Sequence, residues 1–193
     1  RQLVPDYNVK SIAFNPQMPN QLAVSATLPG TDMDSTMLQL IDVETWEIQS
    51  TLLDQLAITG VARQLIFSRD GSLLASNMNG AFVAFDVETG EFAYQVSPRD
   101  YGDGSLEFRG FSEIGFSPDG AWMAGSYPGG QASFVFVGEY GASQEDLIGI
   151  ESVPIEELVT TIAFSPESDR FVIGDEEGNL RMWSVPDFEY HSF

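Results

Sequence analysis

The sequence contains no cysteine and only one histidine, His191. Without cysteine there are no disulfides, no thiolate metal sites and no cysteine nucleophile. A serine nucleophile needs a histidine base within hydrogen-bond reach, and one histidine at the end of the chain gives little basis for such a site. Glycine-rich phosphate-binding motifs are absent from the sequence as well. We therefore predict that the protein is not an enzyme and that it carries neither a cofactor nor a metal.

The sequence also lacks long apolar runs. No stretch approaches the roughly 20 apolar residues that a membrane-spanning helix needs, and no basic segment followed by an apolar one opens the chain. We expect no membrane insertion. The acidic composition and the missing cysteine slightly favour an extracytoplasmic location over a cytoplasmic one.

Basic residues are scarce. The chain of 193 residues has 8 lysines and arginines against 29 aspartates and glutamates, which gives a formal net charge of -21. Such a surface repels the phosphates of nucleic acids and the headgroups of anionic lipids. We therefore expect no nucleic-acid partner and favour a protein or peptide that carries a basic patch.

The sequence does contain a fourfold repeat. Alternating apolar runs end four times in a phenylalanine, at intervals of 53, 49 and 48 residues, namely Phe14, Phe67, Phe116 and Phe164. A turn with proline or Asp-Gly follows and leads into a second apolar run, which is the pattern of a β-hairpin. A third run and a weaker fourth run complete the unit. Four short antiparallel strands in each unit are typical of one blade of a β-propeller.

The predicted fold is therefore all-β, a β-propeller built of four-stranded antiparallel blades, of which four are visible. The predicted blades are residues 9–55, 56–100, 101–153 and 154–193, after a lead-in or a strand of a preceding blade at 1–8. Three arrangements remain open. The chain is part of a larger propeller continued by further blades, which we favour, or a closed ring of four blades, or one half of a homodimer with eight blades.

Several motifs resemble those of the WD-repeat family. They are Phe-Ser-Pro-Asp-Gly at 116–120, Leu-Arg-Met-Trp at 180–183, and the Asp-Val-Glu-Thr turns at 42–45 and 86–89. The resemblance covers nearly the whole chain. It implies a protein- or peptide-binding scaffold or a sensing module.

The sequence departs from the WD-repeat pattern in two respects. The family's Asp–His–Ser–Trp hydrogen-bond network cannot form in any blade, because His191 is the only histidine. Glu177 and Asn79 stand where the family has a structural aspartate before the third strand.

The resemblance also implies where a partner would bind. WD-repeat propellers usually bind partners on the face where the fourth strand of one blade joins the first strand of the next. On this face the resemblance puts Lys10, Arg63 and Glu113 near the starts of first strands, with Tyr101 and Tyr127 in neighbouring loops. Because tyrosine and arginine are enriched at binding hot spots, we predict that these five residues contact the partner.

Acidic loops favour an alternative function. The segments 32–34 and 100–107 are rich in carboxylates, and calcium is bound by several oxygen ligands. Neither segment has the ligand spacing of an EF-hand. The alternative is a ligand- or metal-binding propeller, with or without enzymatic activity, that uses these loops.

Overall fold

The computed structural model describes residues 7–27, 36–52, 61–78, 80–96, 112–129, 132–139, 153–155, 157–185, 187 and 189–191. These residues form strands and turns, in four antiparallel sheets of four strands each. Among them, no helix is long and apolar enough to cross a membrane. The predicted all-β fold of four-stranded blades is confirmed.

Each sheet is one blade, and its strands follow one another in chain order. Blade 1 consists of β1 (Asn8–Phe14), β2 (Gln21–Thr27), β3 (Thr36–Asp42) and β4 (Glu47–Thr51). Blade 2 consists of β5 (Ala62–Phe67), β6 (Leu73–Met78), β7 (Ala81–Asp86) and β8 (Phe92–Val96). Blade 3 consists of β9 (Glu113–Phe116), β10 (Trp122–Gly129), β11 (Ala132–Glu139) and β12 (Val153–Ile155). Blade 4 consists of β13 (Val159–Phe164), β14 (Arg170–Asp175), β15 (Leu180–Ser184) and β16 (Tyr190–His191).

A serine and an aspartate fix the turn between the first two strands of a blade. In blade 2, the hydroxyl of Ser68 donates a hydrogen bond to the carboxylate of Asp70 at 2.6 Å and accepts one from the backbone N–H of Leu73 at 3.1 Å. Ser117 and Asp119 make the same pair in blade 3 at 2.5 Å. Such local bonds close a tight turn, which explains why the Ser-x-Asp-Gly sequence follows the first strand.

The chain divides into two compact units, and each is described by itself. The first unit comprises residues 1–79 and 83–94, and the second comprises residues 80–82 and 95–193. In the first unit β5 packs against β1 and β2, whereas in the second unit β13 packs against β9 and β10. Within each unit, therefore, the first strand of one blade lies against the preceding blade.

The core of the second unit is apolar and aromatic. It contains Ile162 and Ile173, the side chain of Phe171 stacked on Trp183 at a centroid distance of 5.3 Å, and Ala124 from the preceding blade. Each aromatic ring buries a large apolar area. The aromatic and aliphatic residues of the apolar runs thus form this core together.

Candidate functional site

The predicted contact residue Lys10 lies at an irregularity of β1. Val9 pairs with Ala26 and Ser11 pairs with Ser25, so that Lys10 stands outside the ladder of paired residues. This is a β-bulge, which redirects the side chain of the extra residue. The side chain of Lys10 is exposed.

The same irregularity recurs at equivalent positions of two other blades. In blade 2, Arg63 and Gln64 both lie between the paired residues Ala62 and Leu65. In blade 4, Thr160 stands outside the ladder formed by its two neighbours. Arg63 and Thr160 are exposed like Lys10. The fold therefore presents one exposed side chain at the start of the first strand in three of the blades.

Hydrogen bonds hold Lys10 and Arg63 on neighbouring strands of the first unit. The hydroxyl of Ser25 donates to the carbonyl of Ala62 at 2.6 Å, and the hydroxyl of Ser11 accepts from the backbone N–H of Leu65 at 3.1 Å. These bonds flank the two bulges. Two cationic side chains are thus carried by a fixed backbone at adjacent blades.

Glu113, the predicted contact in blade 3, begins β9 and pairs with Ser126 of β10. Its side chain is half-buried, and this burial raises the pKa of its carboxyl group above the ordinary value. The adjacent Ser112 donates its backbone N–H to the carbonyl of Ser126 at 2.7 Å. A carboxylate that has lost part of its hydration is stabilised by a donor or a cation, so Glu113 is suited to contact such a group.

Of the two predicted tyrosine contacts, the structure describes only the backbone of Tyr127. Tyr101 lies outside the described residues. Tyr127 belongs to β10, where its backbone pairs with Phe134 of β11, and its side chain lies outside the described part of the structure. Both stay predictions.

An ion-pair network lies at the start of blade 4. The guanidinium of Arg181 donates to Glu157 at 2.7 Å and to Asp175 at 3.0 Å. Arg181 and Glu157 are about three-quarters buried, and the carboxylate of Asp175 is fully buried. The backbone N–H of Glu176 also donates to the carbonyl of Leu158 at 3.0 Å. These contacts attach the segment that leads into β13 to the turn between β14 and β15.

A cleft lies in the first unit, at the end of its blades that is opposite the starts of β1 and β5. It has a volume of about 500 Å³, with Leu40 and Val87 among its apolar lining and Asp70, Asp86 and Glu88 as its acidic groups. Among the residues that the structure describes, no lysine, arginine or histidine lines it. The Ser68 hydroxyl and the hydroxyl and backbone N–H of Ser72 hold Asp70, and these bonds lower its pKa.

The metal-binding alternative depends on loops that lie outside the described residues. Both acidic segments, 32–34 and 100–107, belong to that part of the chain. Among the residues that the structure does describe, no three His, Cys, Asp or Glu side chains are grouped so that they could hold a metal ion. The alternative stays a prediction for the two loops.

Two comparisons with known proteins agree with this architecture. Residues 155–184, which run from β12 to β15, match the family model described as WD domain, G-beta repeat. The β-propeller domain of Cps50 (Swd1) from Myceliophteria thermophila matches with a TM-score of 0.66 and 16% sequence identity, over 93% of this chain. The chain therefore has the fold of a β-propeller, and residues 155–184 resemble a WD repeat. It spans 55% of the length of that solved structure, and no curated protein matches it in sequence.

The WD-repeat turn of blade 4 is fixed by a residue that the sequence pattern missed. Glu177 occupies the position of the family's structural aspartate, but the carboxylate that accepts hydrogen bonds in this turn is that of Asp175. It accepts from the backbone N–H of Glu177 at 3.1 Å, and from the backbone and side-chain amides of Asn179 at 2.9 and 3.1 Å. The signal in the sequence was an aspartate at the end of the second strand, followed closely by Asn179 and Arg181.

The electrostatics of this WD-repeat turn favour ionised side chains. Burial alone would raise the pKa of Asp175, but the hydrogen bonds from Asn179, the charge of Arg181 and the bond from Glu177 outweigh it and lower the pKa. The hydrogen bond to Glu157 in turn raises the pKa of Arg181. Asp175 and Arg181 are therefore charged at neutral pH, and the network supports the turn because its groups are engaged with one another.

Proposed function

We propose that this WD-repeat chain is a non-catalytic scaffold that binds a protein or peptide at the end of its blades where the first strands begin. The observation that carries the proposal is the recurrent bulge, which leaves Lys10, Arg63 and Thr160 exposed at equivalent positions of a hydrogen-bonded frame. Groups on a rigid frame lose little conformational entropy on binding. The contacts we propose are Lys10, Arg63, Glu113, Tyr101 and Tyr127.

The proposed partner carries a basic patch together with hydrogen-bond acceptors. Its basic patch faces the acidic surface, whose net charge of -21 attracts cations over a long range. Its carbonyl or carboxylate groups contact Lys10 and Arg63, two of the 8 basic residues of the chain. Charge complementarity of this kind affects mainly the association rate and the choice of partner.

A binding measurement on a double variant tests this proposal. Peptides selected against the whole chain from a random display library serve as the probe, and their dissociation constants are measured by calorimetry. We expect Lys10→Ala with Arg63→Ala to weaken binding by about tenfold or more, because exposed cationic contacts at a hot spot contribute more than 1 kcal/mol.

Arg170→Ala is the matched control. Arg170 is also exposed, its ion pair with Asp169 at 3.4 Å is on the surface, and it begins β14 at the opposite end of blade 4. We expect unchanged binding for this variant and unchanged melting temperatures for both. Failure to select any peptide, or equal effects of the two variants on binding, would contradict the proposed site.

A further inference from the structure

The cleft of the first unit combines carboxylates with an apolar wall. Its volume of about 500 Å³ lies in the range of ligand-binding sites. Asp70, Asp86 and Glu88 supply the carboxylates, whereas Leu40 and Val87 are buried apolar residues of the lining. The described residues include every turn at this end of blades 1 and 2, namely 15–20, 43–46, 68–72 and 87–91. Blades 1 and 2 alone therefore form the cleft.

Hydrogen bonds fix the walls of the cleft. The side-chain amide of Asn15 donates to Gln21 at 2.8 Å and to the carbonyl of Gly71 at 3.0 Å, which joins blade 1 to blade 2. The amide of Gln21 in turn donates to Gln49 at 2.9 Å. On the other wall, Asp86 accepts two hydrogen bonds from within its own turn, at 2.8 and 3.0 Å. Because these groups are already held in place, a ligand that enters the cleft orders few of them on binding.

The negative charge of the cleft is not balanced within its described lining. That lining contains no basic side chain, and Arg69, although next to Asp70, is exposed and lies outside it. Hydrogen bonds from Ser68 and Ser72 lower the pKa of Asp70, so this carboxylate is ionised at neutral pH. Among the described residues, no three acidic side chains are grouped so that they could hold a metal ion. An organic cation that reaches carboxylates on separate turns complements this charge.

We propose that the cleft binds the side chain of an arginine from a partner peptide or protein. The aliphatic part of such a side chain packs on Leu40, Val87 and the exposed Met18. Its guanidinium, which has five N–H donors in a fork, donates to Asp70 on one turn and to Asp86 on the other. The ammonium of a lysine is a compact and more strongly hydrated charge, so it is less suited to separate acceptors in a partly apolar cleft.

A nuclear magnetic resonance titration of the whole chain tests this site. The probe is acetyl-Gly-Arg-Gly-amide in about 0.15 M sodium chloride, where the Debye length is about 8 Å. We expect saturable shifts of the backbone amides in the turns 68–72 and 86–89. Peptides with lysine or the uncharged citrulline in place of arginine should cause much smaller shifts. Lys10 and Arg63 lie near the other ends of β1 and β5, so their amides should not shift, and this proposal succeeds or fails separately from the scaffold proposal.

A charge variant and its matched control distinguish the cleft from general attraction to an acidic protein. We expect Asp86→Asn with Glu88→Gln to weaken binding by about tenfold or more, because charged hydrogen-bond acceptors are lost. The control is Glu167→Gln with Asp187→Asn, which removes the same charge from exposed residues of the second unit. This control should leave the dissociation constant unchanged.

Ser72→Phe tests the shape of the cleft without a change of charge. Ser72 is exposed and lines the cleft, so a phenyl ring there should prevent binding of the arginine peptide. Melting temperatures show whether each variant is folded, and the charge variant decides the matter if Ser72→Phe is not. Shifts spread over the whole surface, or none at all, would overturn the proposal. So would equal binding of the lysine or citrulline peptide, or equal weakening by the charge variant and its control.

Discussion

Two glycines of this chain have the same backbone conformation in different surroundings. Gly71 has a φ of +71° and Gly178 a φ of +86°, and both follow an acidic residue in a turn. A Cβ atom on Gly71 would overlap the amide group of Asn15, which donates to Gln21 at 2.8 Å and to the carbonyl of Gly71 at 3.0 Å. A Cβ atom on Gly178 would meet no atom within 4 Å.

This pair separates the cost of the backbone conformation from the cost of the overlap. We expect Gly178→Ala to lower the free energy of unfolding by about 1 kcal/mol, since a left-handed conformation disfavours any residue with a Cβ atom. We expect Gly71→Ala to lower it by roughly 2–4 kcal/mol, because Asn15 must also move. Urea denaturation followed by circular dichroism measures both values. Equal losses would show that Asn15 adapts without cost.

At the residue scale, the sequence predicts where a residue lies along a strand better than it predicts which side chains that residue contacts. The repeat identifies the starts of the first strands, and this is enough to place Lys10 and Arg63 there. The bulges at those positions were not predicted, because an extra residue leaves the apolar alternation on both sides intact. The network of Arg181, Glu157 and Asp175 was missed since its members are separated by up to 24 positions.

At the element scale, the first hairpins of blades 2 and 3 each contain an aspartate that favours the ionised state. The hydroxyl of Ser68, and then the backbone N–H of Ser72, lower the pKa of Asp70. Asp119 occupies the equivalent turn of blade 3, where bonds from Ser117 and Ala121 outweigh the opposing effect of burial and lower its pKa as well. Each bond is stronger when the carboxylate is charged.

The lowered pKa values predict the direction of the pH dependence. A carboxyl group whose pKa is lower in the folded state stabilises the protein above its unfolded pKa of about 3.9, and that contribution is lost as the pH falls through the folded value. We expect Asp70→Asn to lower the free energy of unfolding by roughly 0.5–1 kcal/mol at pH 7. The difference from the unchanged chain should shrink as the pH falls below about 3.9 and vanish once the pH lies below the lowered pKa of the folded state.

Denaturant titrations at several pH values measure this difference. Asp187→Asn is the control, because Asp187 is exposed and takes part in none of these turns; it should change stability little at any pH. A loss in Asp70→Asn that is the same at pH 7 and pH 3 would show that the turn does not depend on the charge.

The strands themselves were predictable to different extents. Period-two alternation is informative over several residues, so the apolar runs that end in Phe14, Phe67, Phe116 and Phe164 could be identified, and a first strand ends at each of these residues. The fourth strands β12 and β16 have only 3 and 2 residues. Such short segments contain no full period, and they form because the neighbouring third strand offers free backbone groups.

At the scale of the whole molecule, the sequence has a large excess of negative charge. With 29 acidic and 8 basic residues, the folded chain brings many like charges together, and their mutual repulsion disfavours the compact state. The described ion pairs of Arg170 and Arg181 offset little of this repulsion.

Added salt should therefore stabilise the fold. We expect the melting temperature to rise as sodium chloride increases from about 0.01 to 0.3 M, because the Debye length falls from about 30 Å to below 10 Å over this range. Differential scanning calorimetry at neutral pH measures the rise. Most of it should occur at low salt; a melting temperature that stays constant or falls there would mean that self-repulsion is not significant.

The recurrent bulge has a consequence for how such a protein can change over evolutionary time. The side chains of Lys10 and Arg63 are exposed, so the core does not restrict their identity, whereas the hydroxyl of Thr160 donates to the carbonyl of Gly174 at 3.2 Å. Three blades already carry three chemically different residues there: a lysine, an arginine and a threonine. At the binding site proposed above, substitution of Lys10 or Arg63 should therefore change which partner is recognised with little cost in folding, so the proposed specificity could diversify without loss of stability.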